Sequence, residues 1–189
     1  MNMRIVGGAL SVLVGFGAIG MGVIALVPHR TVARLFGYES AMVAPMLEVH
    51  GVTMTGLFEE TKHGGKNTWP AGKVELMDAL WAIPHWIRRR PYPLALATVM
   101  REFTEETGLP IHAEQLHFRR NIGEGKTDTG FPVVLFSMNG CAAPLPGAEL
   151  TRLTWYTEGD VEGLLRLGGV RKFVREPLQT PGMIFPVKQ

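Results

Sequence analysis

Three carboxylates fall within five residues in the stretch Arg101-Glu102-Phe103-Thr104-Glu105-Glu106-Thr107-Gly108-Leu109. Glu105 lies three positions after Glu102 and Glu106 lies four after it, so a helix brings all three toward one side. Leu96, Val99, Met100 and Phe103 recur at three- and four-residue spacing, which predicts a helix with one buried face beginning after Pro93. Like charges held this close raise one another's pKa values unless a cation neutralises them. Oxygen donors alone suit Mg²⁺ or Mn²⁺, with water or phosphate oxygens completing the shell. Arg101 can reach a neighbouring carboxylate and fix its orientation. Gly108 lets the helix stop in a left-handed turn. The same residues would also suit a solvated, glutamate-rich helix end closed by a glycine.

Other metal donors are scarce. The single cysteine, Cys141, excludes an internal disulfide and a thiolate zinc site, and the six histidines show no His-x-x-x-His spacing. Any bound metal is therefore expected on carboxylates. The net charge of +2 and the short basic clusters Arg88-Arg89-Arg90 and Arg171-Lys172 give no long positive stripe, so no nucleic-acid partner is expected.

The order of residues in the carboxylate helix resembles the second half of the Nudix box, G-x5-E-x7-R-E-U-x-E-E-x-G-U, with U a bulky aliphatic residue. Arg101 to Leu109 match it throughout, with aromatic Phe103 at the first U. Upstream, "NTWPAGKVELMD" is similar to the first half, with Ala71 at the first glycine of the family's Pro-Gly-Gly, Gly72 at the motif glycine and Asp78 in place of glutamate. The resemblance implies a Nudix-type α/β/α sandwich with a mixed sheet. It implies hydrolysis of the diphosphate in a nucleoside diphosphate linked to another moiety. Glu102, Glu105 and Glu106 would hold Mg²⁺ or Mn²⁺, Arg101 would complete the catalytic set, and Glu102 is the first choice of general base. Gly72, Asp78 and Gly108 would support the site, and Glu124 and Glu149 could supply a further ligand or base. A small nucleotide is the implied partner, and a homodimer is common in the family. Two rival readings are an inactive Nudix domain that senses a nucleotide and a small membrane-anchored interaction protein.

The two halves stand too far apart. Asp78 precedes Arg101 by 23 positions where the motif allows eight, an insertion of 15 residues in and around 79–93. A loop bulging ahead of the catalytic helix would accommodate it, because closure cost rises slowly with length. Within it, Trp81, Trp86 and Tyr92 interleave with Arg88, Arg89 and Arg90. One reading is a lid in which Arg88 and Arg89 meet substrate phosphates and Trp86 stacks on a base. A second is a segment lying at a membrane interface, and a third is a surface loop packed on the domain.

The elements that must position these residues are partly visible. Ile5 to Val27 is a run of 23 residues without a charge and with six glycines. As a helix it would span roughly 35 Å, enough for a bilayer core of about 30 Å, so residues 1–28 are expected to form a membrane anchor. Buried glycine-rich strands are the alternative. Residues 29–44 read as a connector with a short helix ending near Gly37, and residues 45–189 as the catalytic domain, expected on the cytoplasmic side. In "VTMTGLFEETK", Val52, Met54, Gly56 and Phe58 alternate with Thr53, Thr55, Leu57 and Glu59 at the period of a strand, and "QLHFRRNI", "FPVVLFSM" and "LTRLTWY" are further strand candidates. Thr157 with Asp160 predicts the cap of a closing helix through "VEGLLRL". Strands mixed with helices indicate an α/β class.

Overall fold

The computed structural model describes residues 28–62, 64–123 and 130–187. The apolar run Ile5–Val27 and Glu124 lie outside them. Among the described residues no helix is long and apolar enough to cross a membrane.

Helix α1 (His29–Phe36) leads into strand β1 (Ser40–Val49), which turns through His50 and Gly51, both at positive φ, into β2 (Val52–Glu60). Short strands β3 (Lys66–Thr68) and β4 (Ala71–Lys73) follow, then helices α2 (Asp78–Ile87) and α3 (Pro93–Thr107). Strands β5 (Leu116–Ile122), β6 (Val133–Asn139) and β7 (Leu150–Tyr156) precede helices α4 (Glu158–Arg166) and α5 (Lys172–Gln179). The sheet runs β3-β2-β1-β6-β5, with β4 on β1 and β7 on β2. Among the described strands β1 pairs with β6 in parallel and the other strand pairs are antiparallel, so the sheet is mixed.

Alternation along the strands divides the core in two. Ala41, Val43, Phe58, Val134 and Phe136 face α1, α2 and α3, where Val32, Ala79, Leu94 and Phe103 pack against them. Met42, Ala44, Leu57 and Leu135 face the other way, onto Val161 of α4 and Val174 and Leu178 of α5. Each strand therefore feeds both layers at a period of two, as a sheet covered on both faces requires. This is the expected α/β/α sandwich.

Two expectations need correction. The stretch 29–44 is not a connector: β1 begins at Ser40, and Val32, Ala33 and Tyr38 are buried. Strand β1 is apolar on both faces, and that hides the alternation by which strands are read. The insertion is also not a loop. Its first part is α2, which turns Asp78, Ala79, Ala82 and His85 inward and packs against α3. The turn between them is pinned by Tyr92, whose ring stacks on Phe118 at 4.7 Å and meets Tyr38 edge-on at 5.8 Å. The cap expected for α4 is present, with Thr157 and Asp160 bonding reciprocally.

Candidate active site

Strand β4 and helix α3 lie side by side and build the site from backbone and carboxylates together. The Ala71 N–H donates to Glu106 Oε2 at 3.1 Å. At Gly72 a Cβ would fall 1.8 Å from Glu102 Cδ, so the Glu102 carboxyl group rests where any other residue would have a side chain. The Lys73 carbonyl accepts from Arg101 Nη2 at 3.1 Å. Three consecutive residues of one short strand thus meet three different side chains of α3. Gly108, at φ 73°, closes α3 by donating its N–H to the Thr104 carbonyl at 2.9 Å.

Arg101 ties the two halves of the motif together. Its Nε and Nη2 donate to the two carboxylate oxygens of Asp78 at 2.8 and 3.2 Å. Asp78 is fully buried and also accepts from Thr98 Oγ1 at 2.8 Å and the Glu75 N–H at 3.0 Å. The remaining Arg101 nitrogen, Nη1, donates to Glu102 at 2.7 Å and to Glu105 at 3.2 Å. Burial works against the Arg101 charge, yet the bond to Asp78 holds its pKa above the ordinary arginine value.

The three glutamates differ in setting. Burial raises the Glu106 carboxyl to about 8; the Ala71 N–H opposes the shift, and the charges of Glu102, Glu149 and Glu60 add to it. Glu102 is also raised, chiefly by burial, with Arg101 pulling the other way. The Glu105 side chain is 60% exposed. Among the described residues no three histidine, cysteine, aspartate or glutamate side chains gather around one point to hold a metal ion. The reason is visible: Arg101 stands between Glu102 and Glu105, and Glu106 turns to Ala71.

The donor set nevertheless fits a hard divalent cation. Glu102 and Glu106 sit one turn apart, both are raised by burial, and they offer oxygen only. Glu105, being exposed, can swing to join them without unpacking anything.

Of the other expected residues, Glu149 comes close enough for its charge to act on Glu106, and it pairs with Lys62. Arg88, Arg89 and Trp86 do not join the carboxylates. They sit at the end of α2 opposite Asp78, about 15 Å along the helix axis. Arg88 pairs with Glu114 at 3.3 Å, and Trp86 stacks on Phe36 at 6.5 Å. The first part of the insertion is a packed helix, with Arg88 and Arg90 turned to Glu114.

Sequence reading missed three contributors. Glu60, at the end of β2, bears on Glu106 and pairs with Arg171 at 3.1 Å. Lys172 and Phe173 of α5, with Met42, Gly72, Lys73 and Ile122, line a cavity of about 460 Å³ beside Gly72. No spacing could have joined β4 to α5 across a hundred residues; only the isolated basic pair Arg171-Lys172 hinted at that end.

No protein-family model and no curated protein matches the sequence. Among solved structures, the chain is similar to a Nudix hydrolase from M. smegmatis, with 18% identity over 76% of this chain and 82% of that one and a TM-score of 0.48. It is also similar to a C. elegans Ap4A hydrolase, with 15% identity over 74% of this chain and 91% of that one and a TM-score of 0.45. A MutT/nudix family protein from Enterococcus faecalis is 16% identical over 62% of this chain, with a TM-score of 0.42. The match spans only 42% of that protein's length. The likeness is to Nudix proteins.

Proposed function

We propose that this protein is a Nudix-type hydrolase that uses a divalent cation to cleave the diphosphate of a nucleoside diphosphate linked to another moiety. The observation that carries this reading is the Asp78–Arg101 pair. It closes a motif divided by an insertion and leaves Glu102 seated on Gly72, with Glu106 one turn away.

Glu102 and Glu106, joined by Glu105, would hold Mg²⁺ or Mn²⁺. Such an ion would neutralise diphosphate oxygens and acidify a bound water. Glu102 is the carboxylate we assign to take the proton from the attacking water, being half-buried and fixed against β4. Arg101, fastened to buried Asp78, holds Glu102 and can release Glu105 to the ion. The cavity beside Gly72 is placed to receive the group beyond the phosphates: Phe173 offers a stacking face, and Lys73 and Lys172 offer positive charge at the rim. The domain would work on the cytoplasmic side, where nucleotides and Mg²⁺ are plentiful.

A screen of ADP-ribose, NADH, dinucleoside polyphosphates, coenzyme A and deoxynucleoside triphosphates with Mg²⁺ tests the reading, run beside Glu102→Gln and Glu106→Gln. A nucleoside monophosphate product that both substitutions abolish is expected. Turnover indifferent to both would refute the site. Tight binding of a nucleotide without turnover would favour the sensor, a reading to which Arg101 lodged between Glu102 and Glu105 lends support.

A further inference from the structure

Helix α2 carries its polar residues inward and its apolar residues outward. Asp78 and His85 are buried against the domain, together with Ala79 and Ala82. At 3.6 residues per turn, the outward positions are Leu80, Trp81, Ile83, Pro84 and Ile87. No charged or polar side chain interrupts them. Trp81 is 70% and Ile87 76% exposed. Water-facing helix surfaces in a monomeric domain are ordinarily polar, and a continuous apolar face marks a surface that meets something else.

The flanking charge says what it meets. Arg88, Arg89 and Arg90 follow Ile87 directly, and Arg88 and Arg90 share the single carboxylate of Glu114 at 3.3 and 3.4 Å. Three guanidinium groups against one carboxylate leave this end of the face positive. Tryptophan and isoleucine bordered by arginine suit an anionic headgroup region, where the ring sits at the boundary and arginine meets phosphate. The chain supplies a second argument. Its uncharged run ends at Val27, two residues before α1 begins at His29, and Phe36 of α1 stacks on Trp86 of α2. The apolar run therefore joins the domain through the helix that packs on α2.

We propose that the outward face of α2 rests in the interface of an anionic lipid bilayer, with Trp81 and Ile87 inserted and Arg88 and Arg89 on lipid phosphates. The insertion in the motif would thus serve two faces. Inward, helix α2 presents Asp78 to Arg101, and outward it seats the domain on a membrane.

The test uses the full chain carrying Ile87→Cys and Cys141→Ser, with an environment-sensitive fluorophore on position 87. Vesicles of equal parts phosphatidylcholine and phosphatidylserine, with brominated acyl chains, should quench and blue-shift the probe. Phosphatidylcholine alone should do so far less. Adding Trp81→Glu, Arg88→Gln and Arg89→Gln should lower the quenching more than tenfold, each arginine being worth about fivefold at an anionic surface. Protein bound to vesicles with position 87 unquenched would overturn the proposal, as would equal quenching in the variant. A probe already shielded without vesicles would overturn it too: in a dimer it would identify a second copy as the occupant, and in a monomer the chain's own apolar run.

Discussion

Asp78 and Arg101, 23 positions apart, meet through two hydrogen bonds of 2.8 and 3.2 Å, and their pairing places the first half of the divided motif against the second. Asp78 has no exposed surface and already receives four donors, from Arg101 twice, Thr98 and Glu75. The aspartate is therefore fitted to its site. Asp78→Glu, although it restores the residue of the Nudix pattern, should destabilise the fold by about 1–3 kcal/mol because the extra methylene has no room. Asp78→Asn should cost about 3 kcal/mol, at the low end for breaking a buried pair because the Arg101 side chain keeps 22% exposure. Urea unfolding of the three proteins checks both values. A glutamate variant more stable or more active than the native protein would contradict the fit.

Gly72→Ala should fold normally and fail at catalysis. The new Cβ meets Glu102 at Cδ, Oε1 and Cγ, so that side chain must turn off β4 and give up its bond to Arg101, while the backbone stays in place. Displacement of a reacting carboxylate by about 1 Å costs on the order of a hundredfold in rate. Unfolding midpoints should stay near native while kcat falls by about that factor. Equal loss of stability and activity would mean that Gly72 is merely structural.

The Glu106 carboxyl gives the metal-free protein a stability that depends on pH. Its folded-state value of about 8 lies above its ordinary 4.5, so between those values the folded chain binds more protons than the unfolded one. Its contribution is complete below 4.5 and is lost as pH rises through about 8. Melting temperatures measured in EDTA should accordingly fall across this window. Glu106→Gln should flatten that decline, and so should Mg²⁺, by supplying the missing positive charge. A melting profile in EDTA unchanged by the glutamine variant would refute the assignment.

Phe173→Ala should raise KM about tenfold with kcat nearly unchanged, as loss of a stacking face does when the reacting centre is untouched. Steady-state kinetics on the substrate found in the screen checks this. A fall in kcat with constant KM would move Phe173 out of the binding cavity.

The sequence by itself determined the carboxylate helix, its glycine stop, the four strands β2, β5, β6 and β7, and the cap of α4, because each is a local pattern read within one element. It also pointed to carboxylates as the donors a cation would need, because the one cysteine and the scattered histidines offer no metal-ligand spacing. The tertiary structure decided how they are disposed. The sequence could place Arg101 beside Glu102, but not show that the guanidinium spends its other edge on Asp78. It could count 15 inserted residues, but not fold them into a helix facing the site on one side and open on the other. Strand β1 was hidden because burial on both faces erases alternation, and Glu60, Lys172 and Phe173 because they reach the site from distant elements. Local periodicity follows from one residue's neighbours along the chain. Convergence follows from how the sheet and its two helical layers close around the core, and no spacing in the sequence encodes that distance.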